Sequence, residues 1–176
     1  MPKLFLLPLL ALVSIHVNPQ PGDGEKKVTI IKVDKGWAGN SINTVVFRKN
    51  SLTTYQGTQY IAFYNQQQFV VIGKRKPGDK KWQLKQTIYK GNAKDAHNCI
   101  SIAVDGMGYL HMSWDHHNNQ LNYCKSKSPG SLELTNKLSM TGSNEQKVSY
   151  PEFQKLPGGD LIFFFRDGDQ VKEILF

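Results

Sequence analysis

The stretch CISIAVDGMGYLHMSW, residues 99–114, predicts two β-strands joined by a tight turn. Apolar and β-branched side chains dominate both flanks, Cys99–Val104 and Tyr109–Trp114. Between them stands Asp105-Gly106, a dipeptide that favours the backbone conformation of a β-hairpin turn. The stretch therefore indicates an antiparallel sheet rather than a helix.

The same plan extends in both directions from this hairpin. Turn-forming residues separate short β-rich runs, and no amphipathic helix pattern is present after residue 20. Three units of antiparallel strands are predicted, near residues 42–90, 97–140 and 148–176. Their strands are Thr44–Arg48, Gln59–Tyr64, Phe69–Lys74 and Trp82–Thr87 in the first unit, Cys99–Val104, Tyr109–Trp114, Leu121–Ser126 and Leu132–Leu138 in the second, and Tyr150–Leu156, Leu161–Arg166 and Val171–Phe176 in the third.

The spacing of these units indicates the fold class. Their second strands start at Tyr60, Tyr109 and Leu161, which are 49 and 52 residues apart. A four-stranded antiparallel unit that recurs about every 50 residues is typical of a β-propeller blade. We therefore predict an all-β protein, a β-propeller of four-stranded antiparallel blades, with a β-sandwich as the weaker alternative. The chain provides about two and a half blades, so we expect an incomplete fragment, truncated at the C-terminus.

The N-terminus predicts export. A positively charged start, Met1-Pro2-Lys3, precedes an apolar run over residues 4–17. That run suits the core of a signal peptide, because a membrane span needs about 20 residues. We assign residues 1–20 to a signal peptide, 21–35 to an N-terminal lead-in segment and 36–176 to the partial propeller. We expect a secreted, extracellular protein, with a retained membrane anchor as the alternative.

The charge predicts an anionic partner. The formal net charge is +8, and basic residues cluster at 26–27, 74–76 and 80–81. A basic exported protein is suited to polyanions, although such clusters can also be solvated loops. We expect a monomer that binds an acidic polysaccharide, with no nucleic acid and no stable membrane insertion. Cys99 and Cys124 are predicted to be buried free thiols, because they fall on strands of one unit that are not neighbours.

Polar residues concentrate at the ends of the predicted strands. The densest runs are Asp95–Asn98 and Asp115–Asn119, and the third unit has Tyr150–Glu152 and Phe165–Gly168 at comparable positions. The loops of a propeller collect at its two faces. One face is therefore expected to gather His97, His117, Tyr150 and Arg166.

These runs also carry a family resemblance. The segment DAHNCISIAVDGMGYLHMSWDHH (95–117), with SYPEF (149–153) and FFFRDG (163–168), resembles the BNR-repeat-containing propeller family that includes bacterial ulvan lyases. The resemblance covers about Gly36 to the end of the chain. It implies a seven-bladed propeller and, from the better-known members, cleavage of a uronic-acid polysaccharide by β-elimination. Family membership implies the fold more strongly than the activity.

The resemblance also implies roles for single residues. His97 matches the catalytic histidine of these lyases and Tyr150 their catalytic tyrosine, while His117 and Arg166 match residues that hold the uronate carboxylate. We add Asn98 and His116 as candidate substrate-binding residues. Adjacent residues of a strand point to opposite sides, so only one of His116 and His117 is expected to face the site, and His116 could simply be exposed.

The residue types suit this chemistry. Elimination across C4–C5 of a uronate requires removal of the weakly acidic C5 proton. Arg166 is permanently charged and can neutralise the adjacent carboxylate, which stabilises the developing enolate-like charge, and His117 can supply another donor. A neutral imidazole at His97 can accept the proton near neutral pH. Tyr150 could protonate the departing O4 or, as a phenolate beside Arg166, act as the base, and both assignments stay open.

Other interpretations are weaker. No nucleophile elbow, Gly-rich phosphate loop or zinc-finger spacing occurs. The reaction requires no cofactor, although a structural metal ion is possible, and mid-strand His111 is predicted to be a packing residue rather than a ligand. A non-catalytic glycan-binding propeller and a sialidase-like glycoside hydrolase are the alternative functions. The hydrolase lacks an evident pair of carboxylates.

Overall fold

The computed structural model describes residues 28–44, 51–168 and 170–175. The chain divides into Met1–Ile30 and Ile31–Phe176, and the sheets lie in the second unit. The predicted signal peptide at 1–20 and residues 45–48 of the first predicted strand fall outside the described residues. In the described ranges we find no helix, and therefore none that could cross a bilayer.

The described residues form eleven β-strands in three antiparallel sheets, as expected for an all-β protein. The strands are β1 Leu52–Tyr55, β2 Thr58–Tyr64, β3 Phe69–Arg75, β4 Gln83–Lys90, β5 Ser101–Val104, β6 Leu110–Ser113, β7 His117–Asn119, β8 Tyr123–Lys125, β9 Val148–Lys155, β10 Leu161–Asp167 and β11 Gln170–Leu175. Sheet 1 has the order β1-β2-β3-β4, sheet 2 the order β5-β6-β8, and sheet 3 the order β11-β10-β9-β7.

Sheet 1 contains a strand that the sequence analysis missed. The predicted strand at Thr44–Arg48 is not supported at Thr44, which lies in a turn. Among the described residues the outer strand of sheet 1 is β1, whose Tyr55 pairs with Thr58 of β2. The two residues between them, Gln56 and Gly57, have φ values of 43° and 72°. Positive φ at both central residues is the signature of a tight hairpin turn that matches the twist of the strands.

Sheets 2 and 3 differ from the predicted plan by one exchange. The predicted fourth strand near Leu132–Leu138 forms only an isolated bridge, Ser126 to Leu134. It runs beside β8 through scattered backbone hydrogen bonds, such as that from Thr135 N to Lys125 O at 2.8 Å. Residues 117–119, which lie between two predicted strands, form a strand of their own, β7, which pairs with β9 of the next sheet. In the described residues sheet 2 therefore has three strands and sheet 3 has four.

Sheet 2 packs against both neighbouring sheets because successive residues of a strand face opposite sides. In β5, Ile102 and Val104 belong to the apolar cluster shared with sheet 1, whereas Ala103 belongs to the cluster shared with sheet 3. Cys124 and Tyr123 of β8 divide in the same way. All four residues of β5 are consequently buried, and each large apolar side chain buried in this way contributes about 1.5–3 kcal/mol.

Aromatic side chains fill both clusters. Between sheets 1 and 2 the rings of Tyr89 and Trp114 lie 4.5 Å apart, centroid to centroid. In the cluster between sheets 2 and 3, the rings of the cross-strand partners Phe153 and Phe163 of sheet 3 lie 4.7 Å apart, centroid to centroid. Both cysteines are buried thiols, as predicted.

His111 is a buried packing residue, as predicted. Its Nδ1 lies 2.9 Å from the Tyr123 hydroxyl and its Nε2 lies 3.1 Å from Asp105 Oδ2. Burial lowers the pKa of His111, and the Asp105 carboxylate partly opposes this effect. Both ring nitrogens of His111 therefore contact side chains of the protein rather than a ligand site.

A close approach of two glycines joins the turns of sheets 2 and 3. Gly106 N donates to Gly159 O at 2.7 Å. Gly159 has a φ of 102°, and a side chain there would collide with the Gly106 backbone.

We expect Gly159→Ala to lower the free energy of unfolding by more than the roughly 1–3 kcal/mol typical of strained backbone alone. Gly158→Ala is the matched control for chemical denaturation, because its φ is 96° and its added Cβ meets nothing within 4 Å. Equal losses in the two variants would show that the contact between the turns contributes nothing.

The basic cluster at 74–81 covers the end of β3 and most of the turn that leads to β4. In that turn Lys76 N donates to Asp79 Oδ2 at 3.0 Å. Arg75 at this end of β3 pairs with Gln59, five residues before Tyr64 in β2. At about 3.4 Å per residue, this end of sheet 1 is roughly 17 Å from Tyr64. Tyr64 marks the opposite end of the sheet, where its hydroxyl donates to Asn98 O at 2.7 Å.

Candidate active site

The first part of the site is the loop between β4 and β5, which Asp95 shapes. Asp95 Oδ1 accepts a hydrogen bond from the backbone N of His97 at 2.9 Å, and Asn98 N donates to Asp95 O at 3.1 Å. Aspartate favours such turns because its short carboxylate reaches the backbone two residues on. This turn presents His97 with about half of its side chain exposed (49%).

The second part is β7, which the structure places along the edge of sheet 3. Asp115 and Asn118, on either side of His117, have φ values of 62° and 61°, a region that few side chains other than Asn and Asp adopt easily. Asn118 N donates to Ser149 Oγ at 2.6 Å, and His117 N donates to Asn119 Oδ1 at 2.8 Å. This short strand holds His117 with 44% of its side chain exposed.

The third part is a β-bulge in β9 at Tyr150. Glu152 pairs with Phe164 of β10, whereas Ser149 pairs with Arg166. Tyr150 and Pro151 therefore oppose the single residue Phe165, and Tyr150 takes a φ of 57°. An extra residue of this kind bends a strand and re-aims a side chain, and strained backbone of this kind is common at functional sites.

Ser149 connects two of the predicted site residues. It pairs with His117 of β7 on one side and with Arg166 of β10 on the other. One row across sheet 3 therefore carries His117, Ser149 and Arg166, with Tyr150 next to it on β9. The guanidinium carbon of Arg166 stands 4.8 Å from the centroid of the Tyr150 ring, a cation–π arrangement.

The Asp95 carboxylate links the two histidines. Its Oδ1 lies 2.6 Å from His97 Nδ1 and its Oδ2 lies 2.6 Å from His117 Nδ1. The two imidazole centroids are 4.7 Å apart, and the His97 centroid is 5.8 Å from that of Tyr150. The hydrogen bond from the His97 backbone, followed by those from the two rings, holds the pKa of Asp95 at about 2, below its usual 3.8.

Two other predicted site residues lie beneath this surface. Asn98 is buried, and its amide donates to Asp115 Oδ1 at 3.0 Å and to Asn92 O at 3.2 Å. His116 is fully buried, so the expectation that it could be exposed is wrong. Burial lowers its pKa to about 4, and its Nε2 accepts from Asn122 N at 3.0 Å. That Asn98 and His116 bind substrate directly stays a prediction.

Asp115 supports the site from the same layer. Burial raises its pKa, although the hydrogen bond from Asn92 N at 2.7 Å opposes the shift. Through Asn98 and Asn92 it fixes the loop that carries His97. This supporting role was not predicted, although the polar run Asp115–Asn119 was a signal for it.

The structure thus brings together four of the six predicted side chains, and it adds one that was missed. His97, His117, Tyr150 and Arg166 converge, while Asn98 and His116 form the layer below. The missed residue is Asp95, which was noted in the polar run Asp95–Asn98 but was given no role. Its position two residues before a histidine was the available signal, because that spacing suits an aspartate turn.

Asp95, His97 and His117 are also the group of side chains, among the described residues, that could hold a metal ion. Their candidate ligand atoms lie within 4.8 Å of one another. Both Nδ1–Oδ distances are 2.6 Å, so each ring nitrogen is already in hydrogen-bond contact with a carboxylate oxygen. The arrangement therefore satisfies itself without an ion.

A polar cavity of about 390 Å³ adjoins β7. It begins at Asn119, and the Lys137 ammonium at its wall donates to Asn122 Oδ1 at 2.6 Å. Its lining is Asn119, Gln120, Leu121, Asn122, Lys137, Leu138, Ser139 and Glu145. Amides and an ammonium are donors that suit a polar or anionic ligand.

Comparison with solved structures finds the same fold in polysaccharide lyases. The crystal structure of polysaccharide lyase Uly1 matches with a TM-score of 0.64 and 17% identity, covering 86% of this chain and 43% of that one. An ulvan lyase of polysaccharide lyase family 25, bound to -[GlcA(1-4)Rha3S]-, matches with a TM-score of 0.61 and 15% identity, covering 82% and 40%. A second structure of an ulvan lyase of family 25 matches with a TM-score of 0.61 and 16% identity, covering 82% of this chain and 40% of that one. The chain spans about two fifths of the length of these structures.

Sequence comparison identifies the family. No curated protein matches the chain. The sequence model described as "BNR repeat-containing family member" matches residues 58–174, which is more than half of the chain. This confirms the resemblance seen in the sequence: the chain belongs to the BNR repeat-containing family.

Proposed function

We propose that the chain is part of a secreted polysaccharide lyase that cleaves a uronate-containing, sulfated polysaccharide similar to ulvan by β-elimination. The observation that carries the proposal is the convergence of two imidazoles, a phenol and a guanidinium at one exposed surface. Elimination needs these groups together, namely cationic or donor groups for the carboxylate and two proton-transfer groups.

Arg166 and His117 bind the uronate carboxylate in this proposal. The Arg166 guanidinium can form two parallel hydrogen bonds to a carboxylate, and His117 can add a third when its ring is protonated. Neutralising the carboxylate makes the C5 proton more acidic. The same contacts strengthen as charge moves onto the carboxylate during proton removal, so they stabilise the transition state more than the ground state.

His97 and Tyr150 perform the proton transfers. One of them removes the C5 proton, the electron pair forms the C4–C5 double bond, and the bond from C4 to O4 breaks. The other group protonates the departing O4. The ring centroids of His97 and Tyr150 are 5.8 Å apart, which leaves both groups within reach of one sugar ring.

The neighbouring sugars extend along β7 in this proposal. The cavity at Asn119 lies next to His117 in the sequence and along the same strand. Its amides and the Lys137 ammonium suit the hydroxyl and sulfate groups of a polyanionic chain. Seven blades, as the resemblance implies, would complete the other wall of such a groove.

Ultraviolet absorbance tests the proposal directly, because elimination leaves a conjugated C4–C5 double bond. The test uses the complete natural protein that contains this chain, incubated with ulvan, with desulfated ulvan and with other uronate polymers. We expect absorbance to rise with ulvan and to be abolished in His97→Ala. Binding without any rise would contradict the lyase and support a glycan-binding propeller. New reducing ends without absorbance would contradict it in favour of a glycoside hydrolase.

A further inference from the structure

One carboxylate serves two imidazoles in this site. Asp95 directs one oxygen to His97 Nδ1 and the other to His117 Nδ1, both at 2.6 Å. Its own position is fixed, because Oδ1 also accepts the backbone N–H of His97 at 2.9 Å. About a quarter of the Asp95 side chain is exposed, compared with nearly half of each imidazole. The carboxylate therefore lies under the rings rather than in front of them.

This geometry decides which nitrogen of each ring carries the proton. An ionised carboxylate only accepts hydrogen bonds, so both Nδ1 atoms must be donors. The lowered pKa of Asp95 agrees with a carboxylate that is ionised near neutral pH. In a neutral imidazole with Nδ1–H, the opposite nitrogen, Nε2, has the free lone pair.

We infer that Asp95 is a positioning residue that holds His97 and His117 as Nδ1–H tautomers, leaving Nε2 of each ring to meet the substrate. The inference rests on the proposed function for its catalytic meaning, but the tautomers themselves are properties of the free protein. Nothing in the family match assigns a role to this aspartate.

The two histidines then need different protonation states for their different tasks. His97 accepts a proton only as a neutral ring, through Nε2. His117 can donate to the uronate carboxylate from Nε2 only as an imidazolium, because its Nδ1 proton is already directed at Asp95. A single negative charge between the rings stabilises one such cation.

Asp95→Asn should reverse the tautomer of one ring. Asparagine keeps one acceptor oxygen and replaces the other oxygen with an NH₂ donor. The remaining oxygen can still accept the backbone N–H and Nδ1–H of His97. The new amide then faces His117 Nδ1, which must become an acceptor and move its proton to Nε2.

Nitrogen NMR on the complete natural protein labelled with ¹⁵N-histidine measures this directly, with His97→Gln and His117→Gln to assign the signals. We expect wild-type protein at high pH to show protonated Nδ1 and unprotonated Nε2 in both rings, and Asp95→Asn to exchange them in His117. Asp105→Asn is the matched control, because Asp105 also caps a turn through Oδ1, to Met107 N at 2.9 Å, and meets His111 through Oδ2. That control should leave the signals of His97 and His117 unchanged.

Kinetics supply the functional readout. We expect Asp95→Asn to lower kcat/KM on the order of 10²-fold, because the neutral amide no longer stabilises the His117 imidazolium that binds the uronate carboxylate as charge develops on it. Nε2–H tautomers in the wild type, or unchanged His117 signals in the variant, would overturn the inference whether or not the protein is a lyase. The expected tautomers in a protein without lyase activity would leave Asp95 as assigned and overturn the proposed function instead.

Discussion

Replacing Tyr150 with phenylalanine should lower kcat for elimination by about 10²–10⁴-fold, the usual contribution of a group that transfers a proton in the transition state. The substitution removes only the hydroxyl. The ring keeps its place in the bulge of β9, next to the His97 ring and under the Arg166 guanidinium. KM should therefore change little, and initial rates followed by ultraviolet absorbance across substrate concentrations separate the two parameters.

Tyr109→Phe is the matched control for this experiment. Tyr109 also has a cation over its ring, Lys125 at 5.2 Å, but it precedes β6 at the end of sheet 2 away from the site. It should retain wild-type kcat. A Tyr150→Phe enzyme with kcat within a few-fold of wild type would remove the phenol from the mechanism.

The leaving group tells whether Tyr150 is the acid or the base. A substrate whose C4 carries an aryl ether loses a stabilised aryl oxide, which departs without protonation and does not need a general acid. If Tyr150 only protonates O4, Tyr150→Phe should regain most of its activity on the aryl substrate. If Tyr150 removes the C5 proton, the loss should be the same on both substrates. The directed lone pair of His97 favours the first outcome.

The strands were largely predictable because their signals are local. Nine of the predicted strands overlap β2 to β6 and β8 to β11, where alternating or continuous apolar residues meet turn residues such as Asp105-Gly106. Boundaries moved by one to three residues. The predicted strand near Leu132–Leu138 is not formed. Its apolar residues Leu132 and Leu134 have the spacing of a strand, but the segment makes only one bridge to the chain beside it, between Leu134 and Ser126.

Strand β7 shows what local signals cannot provide. Its sequence, His-Asn-Asn, has no β-propensity, and in isolation it predicts a turn. It becomes a strand because Ser149 and Val148, some thirty residues later, offer it a pairing edge. The exposure of His117 and the burial of His116 both follow from this long-range pairing. A sequence pattern of three residues could not decide between them.

Four side chains of the candidate site were predictable from the sequence, but the contacts between them were not. The resemblance selected His97, His117, Tyr150 and Arg166, and the structure brings them together. That Asp95 bridges two rings depends on where separate loops meet, since 22 residues separate it from His117. The left-handed backbone at Tyr150 was equally hidden, because tyrosine seldom adopts a positive φ without the support of the surrounding fold.

Arg166→Lys should lower kcat/KM for a free uronate on the order of 10²–10³-fold, comparable to the loss of one charge-stabilising donor at a reacting centre. Lysine keeps the positive charge but not the planar fork that binds a carboxylate through two parallel hydrogen bonds. We expect kcat to fall and KM to rise, because the carboxylate is bound in the ground state and gains charge in the transition state. Arg75→Lys is the matched control, since Arg75 also stands over an aromatic ring, that of Trp82 at 5.2 Å, at the distant end of sheet 1.

A methyl-ester substrate makes this prediction specific to the carboxylate. Esterification removes the negative charge that Arg166 is proposed to neutralise, so the arginine has less to contribute to the reaction of the ester. The fold-loss caused by Arg166→Lys should therefore be much smaller on the ester than on the free acid. Equal losses on the two substrates would mean that Arg166 acts through the Tyr150 ring or through the packing of β10, and the carboxylate would need another partner.

The guanidinium lies 4.8 Å from the Tyr150 ring, so combining Arg166→Lys with Tyr150→Phe distinguishes the two cases. Independent roles give fold-losses that multiply, whereas a shared role gives a double variant little worse than the poorer single one.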